Sequence, residues 1–299
     1  MTRAELAKLI TKLESSRDDL FEQGLKELEE FHNLKPALRI GICGSPGAGK
    51  SSLIEVLGLE LLKKGKKLAV LAVDPTSPVT GGSILGDKTR MEKLTARDDV
   101  FIRPSPSKKS IGGIAEATDH VAMALEAAAY DSILVETVGV GQAEYSIADV
   151  VDMVVYIHLP NSGDELQGSK KGILEICDAI CIHKADLNET AAKVAKSELE
   201  SAFHFGLSEN YATTRLFLTS SVTNLGIKEL CDFICADRNF EKRRIERKNK
   251  RIEKFWQREV LNFYKHNDEF KKIIEKHDVS FLTLRKSIME FLLQKNPRH

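Results

Sequence analysis

Residues 38–62 read LRIGICGSPGAGKSSLIEVLGLELL, a strand-like apolar run, a glycine-rich turn and a helical pattern in direct succession. The turn, Gly44-Ser-Pro-Gly-Ala-Gly-Lys-Ser51, matches G-x-x-x-x-G-K-[ST] in the strand–loop–helix context that a phosphate-binding loop requires. Glycines let such a loop wrap closely around an anion, so that backbone N–H groups from about Gly47 to Ser52 converge on it. The cradle therefore comprises Gly44, Ser45, Pro46, Gly47, Ala48, Gly49, Lys50, Ser51 and Ser52. Lys50 reaches the terminal phosphates as a catalytic cation, and the Ser51 hydroxyl ligates Mg²⁺. A chance glycine-rich turn is the bland alternative, and an eight-residue motif matched at its four fixed positions, Gly44, Gly49, Lys50 and Ser51, between a strand and a helix argues against it.

Outward from this stretch the same period recurs. ALRIGICG, KLAVLAVD, DSILVETVG, DMVVYIHLP, DAICIHKAD and LFLTSS are short β-rich runs separated by helical patterns. Apolar runs that alternate with helices predict an α/β fold, a P-loop NTPase whose mostly parallel central sheet is flanked by helices. This G-domain is read as residues 34–235. Residues 1–33 form an N-terminal helical extension, two amphipathic helices with apolar Leu6, Leu9, Ile10, Leu13, Leu20, Leu25 and Leu28, interrupted near Ser15-Ser16. Residues 236–299 form a C-terminal helical arm. Ile245, Ile252, Trp256 and Phe263 fall near heptad spacing there, so the arm is read either as a solvated basic helix or as a surface for a second subunit.

Two further segments carry polar groups to the C-terminal edge of the sheet, where open α/β sheets bind ligands. Glu136 ends the strand SILVE and is placed to hold Mg²⁺ directly or through water; Gly139, three residues on, offers a backbone N–H to a terminal phosphate. Asp74 ends KLAVLAVD on the same edge, a second acid for the metal. Asp87 and Arg90 stand in GGSILGDKTRM as switch residues, Asp87 being either a metal ligand or an exposed acid. Ile182-His-Lys-Ala-Asp186 resembles the guanine motif [N/T]-K-x-D. Asp186 would accept from guanine N1–H and the exocyclic amine, a donor pair that adenine lacks. Lys184 lays its stem along the base, and Ala185 lies between them. His183 replaces the usual Asn; it donates to guanine N7 or to the phosphate loop, or else is a strand-end histidine without ligand contact. Thr219, Ser220 and Ser221 after the last strand, with Val222 beyond them, support the base through backbone N–H groups.

Four long segments carry a more specific likeness: DPTSPVTGGSILGDKTRM (74–91), RPSPSKKSIGG (103–113), VETVGVGQAE (135–144) and GDELQGSKKGILE (163–175). Over about Ala37 to Ile227 the sequence resembles the methylmalonyl-CoA mutase-associated GTPases, also called MeaB-like or ArgK. That resemblance implies a slow, Mg²⁺-dependent GTPase that binds GTP and GDP, forms homodimers through helical extensions, and associates with an adenosylcobalamin-dependent acyl-CoA mutase. It would gate cofactor loading and protect the mutase. The resemblance also implies a third switch over Pro160 to Gly172, with Asp164, Gln167 and Lys170 in matching positions; by its residues alone this is a glycine- and charge-rich loop. Hydrolysis would use in-line attack by water, with Lys50 and Mg²⁺ stabilising developing charge, Gln142 a candidate to orient the water, and Arg90 or Lys170 entering on docking.

Composition bounds the remaining choices. The 44 basic and 44 acidic residues cancel, which suggests neither nucleic acid nor membrane as partner. From Ala236 onward, however, 18 Lys/Arg face 10 Asp/Glu, so the arm is basic and the rest acidic. No apolar run approaches the roughly 18 residues that span a bilayer, and the N-terminus lacks the pattern of a signal or transit peptide. Five cysteines, an odd number in apolar settings, point to free thiols and a cytoplasmic location. Rival readings are a nickel-type metallochaperone GTPase drawing on Cys177/Cys181 or Cys231/Cys235, a P-loop kinase, and a nucleotide-binding module without turnover.

Overall fold

A computed structural model describes residues 1–15, 17–31, 35–74, 91–106, 114–137, 147–160, 171–204, 214–236, 240–266 and 268. In chain order the elements are α1 (Arg3–Leu13), α2 (Asp18–Glu29), β1 (Leu38–Gly44), α3 (Lys50–Lys63), β2 (Leu68–Asp74), α4 (Glu92–Thr95), β3 (Val100–Pro106), α5 (Ile114–Ala127), β4 (Ser132–Thr137), β5 (Met153–His158), α6 (Lys171–Ile176), β6 (Ala179–His183), α7 (Glu189–His204), β7 (Arg215–Thr219), α8 (Ile227–Cys235) and α9 (Glu241–His266). The strands form one seven-stranded sheet in the order β3-β2-β4-β1-β5-β6-β7. Every strand pair in it is parallel.

Successive side chains of a strand point to opposite faces, and each face of this sheet has its own core. Ile40 and Ile42 of β1, Leu68 and Val70 of β2, and Leu134 of β4 pack with Leu53, Ile54, Leu57 and Leu61 of α3 and with Leu230 and Ile234 of α8. Cys43, Ala69, Leu71, Ile133 and Val135 enter the opposite core, shared with Val121 and Leu125 of α5 and Leu199 of α7. Leu6, Leu9, Ile10, Leu13 and Leu28 of α1 and α2 belong to that second core. The N-terminal helices are thus buried against the sheet layer. Thr2 starts α1 with a capping box, its hydroxyl accepting from Glu5 N and the Glu5 carboxylate accepting from Thr2 N. Arg3 donates to the Val100 carbonyl, and Arg103 pairs with Glu14 at 2.6 Å, so β3 is held to α1.

β3 is a strand that the sequence reading passes over. Pro104 and Pro106 lie within it, and proline removes a ladder donor. Among the described residues it pairs only with β2, at the edge of the sheet, where a missing N–H is tolerated.

At the end of the sheet opposite the phosphate loop, Arg39 is buried at 2% exposure and pairs with Asp119 and Glu126 of α5 at 2.5 and 2.9 Å. Asp152 accepts from Arg39 N and from the Arg244 guanidinium, while Arg243 pairs with Asp178 at 2.7 Å. This ionic network fixes the first turn of α9 to the strand starts. The chain divides into two compact units, residues 1–244 and 245–299. Within the second, α9 continues to His266 and exposes Ile245, Ile252 and Trp256.

Candidate functional site

The loop after β1 has the backbone its glycines permit. Gly44, Gly47 and Gly49 have φ of +147, +78 and +96°, a region that side chains avoid. At Gly44 a Cβ would stand 2.6 Å from the Ile157 carbonyl oxygen, and at Gly49 2.7 Å from His183 Cδ2. Gly49 precedes α3, whose first turn therefore points its N–H groups into the concavity of the loop. Lys50 is buried, with its Nζ donating to the carbonyls of Gly44 and Ser45 at 2.8 and 3.0 Å. The ammonium thus lies across the loop mouth.

β4 runs beside β1 with Ile42 opposite Glu136, which sets Glu136 against the start of α3. Ser51 Oγ donates to Glu136 Oε1 at 2.9 Å. A hydroxyl and a carboxylate brought together are hard oxygen donors of the kind that suit Mg²⁺. Asp74 ends β2, two strands from β1 across β4, on the same edge of the sheet. Asp87, Arg90, Gly139, Gln142, Asp164, Gln167 and Lys170 lie outside the described residues.

β6 supplies the third part. Lys184 follows it with φ +58°, and its Nζ donates to the Gly47 carbonyl at 2.9 Å, so this segment and the phosphate loop touch directly. Ala185 N donates to the Thr219 carbonyl at 3.1 Å, joining the β6 and β7 loops. Asp186 is exposed, as an acid that meets a ligand must be. After β7, the buried Ser220 hydroxyl accepts from Val222 N and Thr223 N at 3.1 and 3.2 Å, closing a tight turn that leaves Val222 exposed.

His183 is 1% exposed between these loops. Its Nδ1 lies 3.0 Å from Thr219 Oγ1 and its Nε2 3.0 Å from Ser221 Oγ. Burial, with Lys184 adding repulsion and Asp186 opposing it, lowers its pKa to about 4, so the ring is neutral at physiological pH. The sequence leaves open whether this ring turns to guanine or to the loop. Both nitrogens meet hydroxyls, and Cδ2 faces Gly49. Reading the motif alone overlooks the Thr219 and Ser221 hydroxyls; the available signal is a hydroxyl-rich run, Thr-Ser-Ser, ending the strand adjacent to a strand-end histidine.

Cys181 bonds Thr219 beside the His183 ring, and among the described residues no group of three or more His, Cys, Asp or Glu could hold a metal ion. Cys43, Cys177, Cys181 and Cys231 are buried, and burial pushes the Cys177 and Cys181 thiols up. Cys177 follows α6 whereas Cys181 lies within β6, so that pair does not share a helical face. Cys231 and Cys235 are neighbours on α8, with the half-buried Cys235 lowered to about 7 by its bond with Cys231. No helix among the described residues is long and apolar enough to cross a membrane.

A parallel sheet with a glycine-rich loop between β1 and α3, a basic residue across the loop and a hydroxyl–carboxylate pair beside it defines a P-loop NTPase. Comparison with known proteins places the chain more narrowly. Residues 6–272 match the family model of methylmalonyl Co-A mutase-associated GTPase MeaB, and the chain belongs to that family. It is 42% identical over 243 residues to GTPase ArgK of Escherichia coli, covering 78% of this chain and 73% of that one. It is 38% identical over 313 residues to the methylmalonic aciduria type A homolog, mitochondrial, of Caenorhabditis briggsae, covering 98% and 74%. Among solved structures, a LAO/AO transport system kinase superposes with a TM-score of 0.68 at 30% identity, over 97% of this chain and 93% of that one.

Proposed function

We propose that this GTPase binds Mg·GTP across Gly44–Ser52, Lys184–Asp186 and Ser220–Val222, and that its nucleotide state controls an adenosylcobalamin-dependent acyl-CoA mutase. The observation that carries the nucleotide half is the direct bond from Lys184 Nζ to the Gly47 carbonyl. It joins the segment suited to guanine to the loop suited to phosphates.

The loop N–H groups and the start of α3 hold the phosphates, and Lys50 exchanges its carbonyl partners for phosphate oxygens. Asp186 accepts from guanine N1–H and the 2-amine. Water attacks the γ-phosphorus in line; the bond to the β–γ bridging oxygen breaks, leaving GDP and inorganic phosphate. Lys50 stabilises negative charge that grows on the bridging and γ-oxygens. Ser51 and Glu136 would hold Mg²⁺, with Asp74 and Asp87 as further candidate oxygen ligands. Bound there, the ion neutralises phosphate charge as a Lewis acid. Gly139 would offer its N–H to the γ-phosphate, while Arg90 and Lys170 would enter on docking.

Family membership and the naming of relatives as methylmalonic aciduria type A homologs support the mutase half. In this reading the GTPase gates cofactor loading and protects the mutase, and acts as a homodimer through its C-terminal arm. The exposed Ile245, Ile252 and Trp256 on α9 support a subunit contact, because burying apolar surface gains roughly 25 cal/mol per Å². The kinase reading predicts labelled γ-phosphate on an acceptor, whereas hydrolysis predicts inorganic phosphate alone. The experiment on the mutase half measures transfer of adenosylcobalamin onto apo-mutase with GTP, GDP or a non-hydrolysable analogue. Nucleotide-dependent loading is the expected result. Loading that is indifferent to both the GTPase and its nucleotide contradicts the proposal.

A further inference from the structure

We infer that Ser221, His183 and Thr219 form a directional hydroxyl–imidazole–hydroxyl relay that positions the guanine loops against the phosphate loop, so that residue 183 holds the base site without touching the base. The inference rests on the reading that Lys184–Asp186 receive guanine.

The geometry supplies a closed chain of donors and acceptors. Thr219 Oγ1 lies 3.5 Å from the Ile182 carbonyl, which can only accept. With its hydrogen assigned to that carbonyl, its oxygen accepts from His183 Nδ1–H at 3.0 Å, beside the Cys181 side chain that also bonds Thr219. The neutral ring then has Nε2 as an acceptor, and Ser221 Oγ donates to it at 3.0 Å. Every link has one donor and one acceptor, and both ring nitrogens are consumed within the protein. A positively charged ring would disrupt this order, because Nε2 would then carry a proton toward Ser221. Burial of His183 at 1% exposure, with Lys184 adjacent, disfavours that state.

Packing adds a third anchor. His183 Cδ2 occupies the space that a Cβ on Gly49 would need, so the ring is a spacer between the β6 end and the phosphate loop. Ser221 begins the turn that Ser220 closes, and Ala185 N bonds to the Thr219 carbonyl. One ring therefore ties together three loops. Two sequence features that are separate in a linear reading, a histidine where guanine motifs place asparagine and a serine at 221, become one device. The serine supplies the hydrogen that the ring's second nitrogen accepts.

The test has two independent parts. In the wild-type protein, ¹⁵N-histidine NMR should show His183 as the neutral Nδ1–H tautomer at pH 7; a charged ring or the Nε2–H tautomer overturns the relay. Calorimetric GDP affinities are then compared for Ser221→Ala, His183→Ala and the double variant. Each single change should weaken GDP by about tenfold, one lost buried hydrogen bond's worth, and the double no more than the larger single. A double loss equal to the product of the singles means that the two side chains act independently, and the proposal fails. In addition, 7-deaza-GDP should bind wild type within about twofold of GDP, since no ring nitrogen is left to read N7. A selective loss for 7-deaza-GDP that disappears in His183→Ala contradicts it. Asp186→Ala separates the underlying reading. If that variant keeps guanine preference, the base site itself is misassigned, whatever the relay shows.

Discussion

Lys50 carries the largest single consequence among the residues of the loop. Lys50→Ala removes the cation from the transferred phosphoryl group and should lower GTP turnover by at least ~100-fold in a phosphate-release assay. Asp186→Asn presents an amide N–H where guanine also has a donor, and pairs instead with the 2-carbonyl of xanthine. It should weaken GTP and strengthen xanthosine triphosphate in a competition titration, each by at least about tenfold. His183 makes stability depend on pH. Its folded pKa of about 4 lies below the ordinary value near 6.5, so the unfolded chain takes the proton first as pH falls. Its contribution is complete above about pH 6.5, declines between 6.5 and 4, and amounts to on the order of 3 kcal/mol. Urea unfolding across that window should lose this slope in His183→Asn. At this scale the sequence discloses the groups whose chemistry is fixed by spacing, such as Gly44 to Ser51 and Lys184 to Asp186. It does not disclose partners. The Ser51–Glu136 bond and the ring bonds of His183 join residues 85, 36 and 38 positions apart, and only the strand order brings them together.

The elements were readable in proportion to how well their sequences obey one period. Six strands are continuous apolar runs and announce themselves; β3 has its two prolines and emerges only through pairing with β2. The buried role of α1 and α2 follows from their apolar stripes, but which face of the sheet they cover follows from contacts with α5 and from Arg103–Glu14. Arg39 is the least legible of all: an arginine inside LRIGIC gives no sign that it enters the core. There, burial pushes its pKa down, and Glu126 and Asp119 more than offset that, holding it charged. Arg39→Ala strands two buried carboxylates and should destabilise the protein by about 3–5 kcal/mol in denaturant unfolding. A milder loss is expected for Glu14→Ala, whose partner Arg103 is partly exposed.

The molecule as a whole joins a nucleotide site at one end of a parallel sheet to an ionic network at the other, where Arg243 and Arg244 root α9. If the arm mediates dimerisation, Trp256→Asp should shift sedimentation toward monomer at micromolar concentration while leaving GDP affinity within about twofold. The segments that resemble switches in the sequence, over 74–91, 135–144 and 160–172, are those through which nucleotide state would reach a partner. The most direct test of the account is therefore the affinity of the purified GTPase for an adenosylcobalamin-dependent acyl-CoA mutase, measured by calorimetry with GDP and again with a non-hydrolysable GTP analogue. The account predicts a complex whose affinity differs between the two nucleotides by at least about fivefold, a coupling of roughly 1 kcal/mol, and a difference that Lys50→Ala abolishes. Equal affinity in both states, or no complex in either, would contradict it.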